Sequence, residues 1–269
     1  MIKAAVLGSP IGHSLSPTLH NCAYEVLGWD WEYTAIEVKG GELAKFIAAN
    51  RKTFRGLSLT MPLKEEALLV AGSLDPLVKR INAANTLIFE ENEVSAYSTD
   101  ISGFVQALAK AEVSIPNEIT ILGGGATARS AIAAVDGRGR TITVYSRSAS
   151  RATQLINSSI SATVVVKDWN EAQSGLTTNL IIATTPAGAT DHLIPTTSNG
   201  TLFESLYSPW PTKFLEKWQK LGGKYVDGLD LLVEQGIGQI ELMAYEPLSI
   251  DLRSLAVTMR AAGLQKLGH

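Results

Sequence analysis

Cysteine is nearly absent from this chain of 269 residues, where Cys22 stands alone. A lone cysteine excludes an intramolecular disulfide and suits a reducing compartment. It carries no nucleophile signature and reads as a small buried filler. Histidine is scarce as well. None of His13, His20, His192 and His269 falls into an HExxH or Cys/His spacing, so neither a structural nor a catalytic metal is expected. No apolar run approaches the ~18 residues of a membrane span, and the apolar stretch near Met1 is too short for a signal segment. The expected location is the cytoplasm, with no membrane partner. A net charge of -3 provides no basic field for nucleic acid. Any anionic ligand has to be held by local groups.

What is present is globular composition, 45% apolar and 18% charged, in a length that suits one large domain or two modest ones. Hydrophobic patterning predicts strands at 4–7, 31–38 and 56–60, with helices at 18–27 and 42–50. Pro62 is placed to open a further helix carrying Lys64 in its first turn, a position that favours proline. Runs 84–89 and 93–97 read as a hairpin around Glu91 and Asn92. Alternating strands and helices predict a mostly parallel α/β sheet. A helix at 101–111 leads to Pro116-Asn117, where a second α/β series starts. Its strands are expected at 118–122, 141–146, 163–166, 180–183 and 201–206, and its helices at 126–135 and 151–157. That order predicts a doubly wound nucleotide domain. From Leu231 the chain reads as helical and is expected to pack back on the first domain.

The strand-like run Ile119-Thr120-Ile121-Leu122 ends in Gly123-Gly124-Gly125-Ala126-Thr127, and a helical pattern follows. Gly123, Gly125 and Ala128 fit G-x-G-x-x-G/A. Lack of a Cβ at Gly123 and Gly125 permits a tight turn and close approach to a pyrophosphate, while the helix start offers N–H donors and a positive dipole end. A bare match is weak; strand and helix in place make it a dinucleotide cradle. An NAD site would carry an acid roughly 20 residues on, at the end of the second strand. Here that strand end reads Ser146-Arg147-Ser148-Ala149-Ser150-Arg151, without an acid. Arg147 and Arg151 supply the charge a 2′-phosphate needs, so NADP is the expected cofactor.

Lys64, in Leu57-Ser58-Leu59-Thr60-Met61-Pro62-Leu63-Lys64, and Asp100, in Tyr97-Ser98-Thr99-Asp100, both lie upstream of that turn. An ammonium, a carboxylate and a dinucleotide cradle are the parts needed to move a hydride and a proton at a small alcohol or ketone. Ser14 and Ser16, in Gly12-His13-Ser14-Leu15-Ser16-Pro17, add two hydroxyls on one irregular loop, able to hold a carboxylate. Thr60 and Asn85 add polar groups near expected strand ends, where α/β ligand sites form.

In order, these segments resemble the shikimate dehydrogenase family over essentially the whole chain. The stretches that carry the likeness are 8–17, 59–64, Ala84-Asn85-Thr86-Leu87, Ser98-Thr99-Asp100, Gly123 to Ala126, Ser146-Arg147-Ser148 and Asp227-Gly228-Leu229-Asp230-Leu231-Leu232-Val233-Glu234-Gln235. The resemblance implies NADPH-dependent, reversible reduction of 3-dehydroshikimate to shikimate, a step towards chorismate and the aromatic amino acids. It implies a substrate-binding domain at 1–101, an NADP-binding Rossmann-like domain at 102–234, and helices at 235–269 completing the first, as a monomer or homodimer. By the same likeness Lys64 and Asp100 are the catalytic pair. Ser14 and Ser16 hold the ring carboxylate, Ser58, Thr60, Asn85 and Gln235 meet ring substituents, and Tyr207 lines the pocket. Thr184, Ser205 and Gly228 join 123–127, Ser146, Arg147, Ser148 and Arg151 on the cofactor side.

The chain departs from the family pattern in places. Ser58 and Ser98 each stand where asparagine is usual, Asn82 where glycine is, Ser146 where asparagine is, and Leu231 where methionine is. Ser58 puts a hydroxyl where a carboxamide is usual, and a site built around substrate hydroxyls is sensitive to such changes. Two alternatives therefore stand beside the main reading. One is a paralogue acting on quinate or a related cyclohexane polyol acid; the other is a non-catalytic dinucleotide-sensing module. Arg147 argues against an NAD-preferring quinate enzyme, and an intact Lys64 and Asp100 argue against a sensor.

Overall fold

The computed structural model describes residues 1–91 and 93–268. Its strands are β1 (Ile2–Gly8), β2 (Trp31–Glu37), β3 (Gly56–Leu59), β4 (Ser73–Leu74), β5 (Thr86–Phe89), β6 (Val94–Tyr97), β7 (Glu118–Leu122), β8 (Thr141–Ser146), β9 (Thr163–Asp168), β10 (Leu180–Ala183), β11 (Thr201–Glu204) and β12 (Lys224–Val226). Its helices are α1 (Ser16–Leu27), α2 (Leu43–Asn50), α3 (Ala67–Val70), α4 (Pro76–Ile81), α5 (Asp100–Lys110), α6 (Ala126–Ala134), α7 (Ala152–Ile156), α8 (Lys213–Lys220), α9 (Gly228–Met243) and α10 (Leu252–Leu267). The chain divides into two compact units, Met1–Thr99 with Leu232–His269, and Asp100–Leu231. No helix among the described residues is long and apolar enough to cross a membrane.

The first unit holds one sheet in the order β2-β1-β3-β5-β6-β4. Only β5 runs against its neighbours; the other pairs are parallel. The β5–β6 hairpin closes where Glu90 N–H donates to the Glu93 carbonyl at 3.0 Å. The expected turn falls partly on Asn92, which lies outside the described residues. Because side chains alternate across a strand, each strand feeds two faces. Ala5, Leu7, Leu57, Leu59, Leu87 and Ala96 pack on one face under Leu43, Ile47 and Leu63. On the other side α9 meets β3 at Gly56 and Met243, and meets α1 and α10 where Gly236 faces His20 and Met259. α1 itself starts with proline in its first positions and stops at Gly28, whose φ of 66° is the left-handed conformation that ends helices. Asn82 ends α4 in the same conformation, with φ 50°, a role asparagine tolerates where glycine would be easier.

Two expectations fail in this unit. Pro62 does not open a helix: residues 61–66 form a run of turns, and α3 starts only at Ala67. The reason lies in the carbonyls. Lys64 C=O accepts from Ala84 N–H at 2.8 Å, while Glu65 and Glu66 accept from Leu68 and Leu69, three residues on. A helical ladder needs those carbonyls for residues four ahead, so none propagates there. Cys22 is half-buried rather than buried, its thiol 3.9 Å from the Thr258 carbonyl. Burial and then Glu25 push its pKa up, which disfavours the thiolate.

In the second unit all six strands are parallel, in the order β12-β11-β10-β7-β8-β9. This is the doubly wound arrangement, with its reversal between β7 and β10. Ile119, Ile121, Leu180, Ile182 and Phe203 enter one core with Phe104, Ala128 and Ile132. Leu122, Ile181, Ala183 and Leu202 enter the other, with Phe214, Leu215 and Trp218 of α8. Burial on both faces explains why these strands are apolar runs rather than alternating ones. The helix expected at 151–157 begins as a 3₁₀ turn, Ala149–Arg151, before α7.

Candidate active site

In the first unit the polar candidates gather around the ends of β3 and β5. Asn85, 2% exposed, uses its whole carboxamide inside the protein. Its Oδ1 accepts from Thr99 N–H and Thr86 Oγ1, each at 2.9 Å, and its Nδ2 donates to Thr99 Oγ1 at 2.9 Å and Gln235 Oε1 at 3.1 Å. An amide offers two donors and two acceptor lone pairs, so a ligand reaching Asn85 has to replace one of these bonds. Gln235 is held in turn by its Nε2 on the Leu232 carbonyl at 2.8 Å. Ser58 is 3% exposed and inward-facing: its Oγ accepts from Tyr33 Oη at 2.6 Å and donates to Gln239 Oε1 at 2.8 Å. Thr60 comes just after the end of β3, its N–H on the Leu7 carbonyl at 2.9 Å. Lys64 is half-buried in the turn run, anchored by the Ala84 bond to the residue before Asn85.

Ser14 and Ser16 stand at the entry to α1, where Ser14 Oγ accepts from Ser16 N–H at 3.3 Å. The Ser16 carbonyl lies 2.9 Å from His20 Nδ1, and the His20 ring stacks on Tyr33 at 3.9 Å between centroids. The loop is thereby tied to the Ser58 cluster through two aromatic rings. Burial, opposed by the bond to the Ser16 carbonyl, pushes the His20 pKa down to about 4, so the stacked imidazole is neutral at pH 7.

The nucleotide candidates lie together in the second unit, at the reversal of the sheet. Gly123, with φ 116°, donates its N–H to the Tyr145 carbonyl at 2.9 Å, and a Cβ there would stand 2.6 Å from Thr184 Oγ1. Thr184 closes the other side, its N–H on the Leu122 carbonyl at 2.8 Å. At Gly124 a Cβ would overlap Ser146 Oγ, so this residue, and not Gly125, is the second glycine that packing demands. Gly125 caps α6 with its Cβ position open; the nearest atom is Arg151 Nη1 at 3.8 Å. The first-turn N–H groups of α6 have no carbonyl inside the helix to bond. An open glycine at such a helix start is a cradle that a pyrophosphate fits. Arg151 Nη1 donates to the Gly124 carbonyl at 3.2 Å, which holds its guanidinium beside the turn, and Arg147 is exposed at the end of β8. Ser148 N–H donates to Ser146 Oγ at 3.2 Å, fixing that strand end.

Asp100 is buried in the first turn of α5. It belongs to the second unit, and Lys64 to the first. Tyr207 is half-buried in the segment after β11. Ser205 N–H and Oγ both donate to the Ala183 carbonyl, at 3.0 and 2.7 Å. A Cβ at Gly228 would stand 2.5 Å from the Ser205 and Leu206 carbonyl oxygens, so only glycine lets α9 begin so close to this segment.

Three residues escape the sequence reading. Thr99 clamps Asn85 from both sides. Glu204 accepts from Thr212 Oγ1 at 2.8 Å and Leu206 N–H at 3.3 Å, so it brackets the segment carrying Tyr207. Burial, outweighing those two bonds, pushes its pKa up to about 7. Gln239 joins Ser58 to β5. The signal for it was available: residues four apart share a helix face, and Gln239 follows Gln235 by that spacing.

A doubly wound unit with a glycine cradle, together with a separate mixed α/β unit rich in buried carboxamides, defines a two-unit, dinucleotide-type α/β protein. The shikimate dehydrogenase substrate-binding domain matches residues 6–87. The chain is 38% identical over 253 residues to the shikimate dehydrogenase (NADP(+)) of Methanosarcina acetivorans, covering 88% of this chain and 90% of that protein. It is also similar in structure to Mycobacterium tuberculosis shikimate dehydrogenase, with a TM-score of 0.83 and 30% identity over 97% of this chain and 99% of that one. Thermus thermophilus shikimate 5-dehydrogenase, in complex with NADP(H) and shikimate, gives a TM-score of 0.83 at 29% identity, covering 97% of this chain and all of that one, 100%. The chain belongs to the shikimate dehydrogenase family.

Proposed function

We infer that this protein catalyses the reversible, NADPH-dependent reduction of 3-dehydroshikimate to shikimate. The observation that carries the reading is kinship with the shikimate dehydrogenase (NADP(+)) of Methanosarcina acetivorans across 88% of the chain. The open cradle at Gly125 and the arginines at the end of β8 agree with it.

In this reading Gly123 to Thr127, Ser146, Ser148 and Thr184 hold the dinucleotide, Arg147 and Arg151 bind its 2′-phosphate, and Ser205 and Gly228 meet its nicotinamide end. The bound cofactor supplies the hydride. Ser14 and Ser16 hold the ring carboxylate through hydroxyl and N–H donors. Thr60, Asn85 and Gln235 read ring hydroxyls, with Ser58 behind them and Tyr207 against the ring. Reduction places negative charge on the carbonyl oxygen, and a donor at that oxygen lowers the barrier. Lys64 donates that proton; in the oxidation direction its neutral form takes one from the hydroxyl. Asp100 orients the ammonium and the hydroxyl.

The same reading puts the enzyme in the cytoplasm, as a monomer or homodimer without a nucleic-acid partner, in keeping with one cysteine and a net charge of -3. Steady-state kinetics of Lys64→Ala test the assignment of the proton donor. General acid–base groups contribute about 10²–10⁴-fold, so kcat is expected to fall by about 10³-fold while the KM for shikimate changes far less. Turnover at the wild-type rate would remove Lys64 from its role.

A further inference from the structure

Gln239 is 1% exposed and lies one helical turn past Gln235 on α9. Ser58 and Thr86 are directly opposed in the β3–β5 register, and the Gln239 carboxamide spans them. Its Oε1 takes the Ser58 hydroxyl at 2.8 Å, and its Nε2 reaches both Thr86 Oγ1 and the Asn85 carbonyl at 3.2 Å. Thr86 Oγ1 in turn donates to Asn85 Oδ1 at 2.9 Å. Gln239 therefore bonds the Asn85 main chain directly and its side chain through Thr86 Oγ1, while Thr99 and Gln235 hold that side chain from the other side. On the far side the chain of bonds ends at Tyr33, stacked on His20, whose Nδ1 lies 2.9 Å from the Ser16 carbonyl.

We propose that Gln239 is a positioning residue for substrate recognition: it does not touch the ring, and it sets the orientation of Asn85 and the end of β3 that do. Ser58 and Gln239 act as a single unit, a short hydroxyl on the strand completed by an amide from the helix. Buried polar networks of this kind specify one arrangement when every member is satisfied and lose it when a member is missing. The inference rests on the functional reading above, in which Asn85, Thr60 and Gln235 read the ring.

The test is steady-state kinetics with shikimate and NADP⁺ for wild type, Gln239→Ala, and Gln239→Ala combined with Ser58→Asn, alongside NADPH dissociation constants and thermal unfolding. Gln239→Ala is expected to raise the KM for shikimate by about tenfold while the NADPH dissociation constant stays within about twofold. Ser58→Asn in that background returns an amide to the vacated space and is expected to recover most of the loss. If the alanine variant does not fold, Gln239→Met fills a similar volume without the hydrogen bonds and is judged by the same split. An unchanged KM for shikimate overturns the proposal. So does a parallel loss of shikimate and NADPH affinity, which marks a merely structural residue, and so does failure of Ser58→Asn to restore the shikimate KM. A wild type that does not turn over shikimate removes the functional reading itself, and the inference with it. A wild type that does so while Gln239→Ala matches it removes only the inference.

Discussion

The two units solve recognition in opposite ways. In the first, the candidate residues are buried side chains whose hydrogen-bonding groups are taken by other side chains: Asn85, Ser58, Gln235 and Gln239 form one connected set. In the second, the site is mostly backbone. Gly123 and Gly124 are glycine because Thr184 and Ser146 crowd them, and Gly125 is open at the start of α6. Under the proposed function the difference follows from the ligands. A polyhydroxy ring is distinguished from its analogues by particular donors and acceptors, and a connected set of buried side chains can hold such groups in one arrangement. A pyrophosphate needs charge and N–H donors, which any helix start with room around it can supply.

After Lys64→Ala, the largest expected effect is at the cofactor. Charge-assisted hydrogen bonds are worth about 1.5–3 kcal/mol, so Arg147→Ala is expected to raise the KM for NADP⁺ by roughly 10- to 100-fold. The KM for NAD⁺ should stay put, and equal losses for the two dinucleotides would show that Arg147 does not read the 2′-phosphate. Gly125→Ala sharpens the contrast between packing and cradle. Beyond its own stretch of chain the added methyl meets nothing nearer than Arg151 Nη1 at 3.8 Å, so the melting temperature is expected to hold while the KM for NADP⁺ rises about tenfold. A lowered melting temperature with unchanged NADP⁺ kinetics would reverse that assignment.

A smaller effect is expected at Glu204, a strongly perturbed acid beside the Tyr207 segment. Its folded pKa, about 7, stands above its ordinary value of 4.5, chiefly because of burial. A carboxyl raised in this way stabilises the fold fully below about 4.5 and loses that contribution as pH climbs through about 7. Glu204→Gln lacks this titration. Wild type should lose stability relative to the variant across that window, on the order of 3 kcal/mol at most, as seen in denaturant midpoints measured at each pH. A difference independent of pH would show that Glu204 does not carry the raised pKa.

Much of the second unit was legible because its strands are buried on both faces. The bounds of β7, β8 and β10 match the apolar runs at 118–122, 141–146 and 180–183. Short elements were not. β4 and β12 have two and three residues, too few for a period, and α8 shows its amphipathic face over only two turns, burying Phe214, Leu215 and Trp218. The turn run at 61–66 hid behind Pro62, because the bond that stops a helix there comes from Ala84, distant in sequence. At the candidate site, residue types and spacing point to the glycine turn and to Lys64. Which glycine is crowded and which is open depends on Ser146 and Thr184, brought in by other strands. Ser58 reads in sequence as a ring contact; its two hydrogen bonds run to Tyr33 and Gln239 because β3 presents it to the α9 side of the sheet.

The central claim is that this chain exchanges a hydride between shikimate and NADP⁺. The most direct measurement follows NADPH absorbance with purified protein, with shikimate or quinate supplied against NADP⁺ or NAD⁺. The expected result is turnover with shikimate and NADP⁺ at a kcat/KM at least about tenfold above any other pairing. Preference for quinate, preference for NAD⁺, or binding of the dinucleotide without turnover of either acid would contradict it.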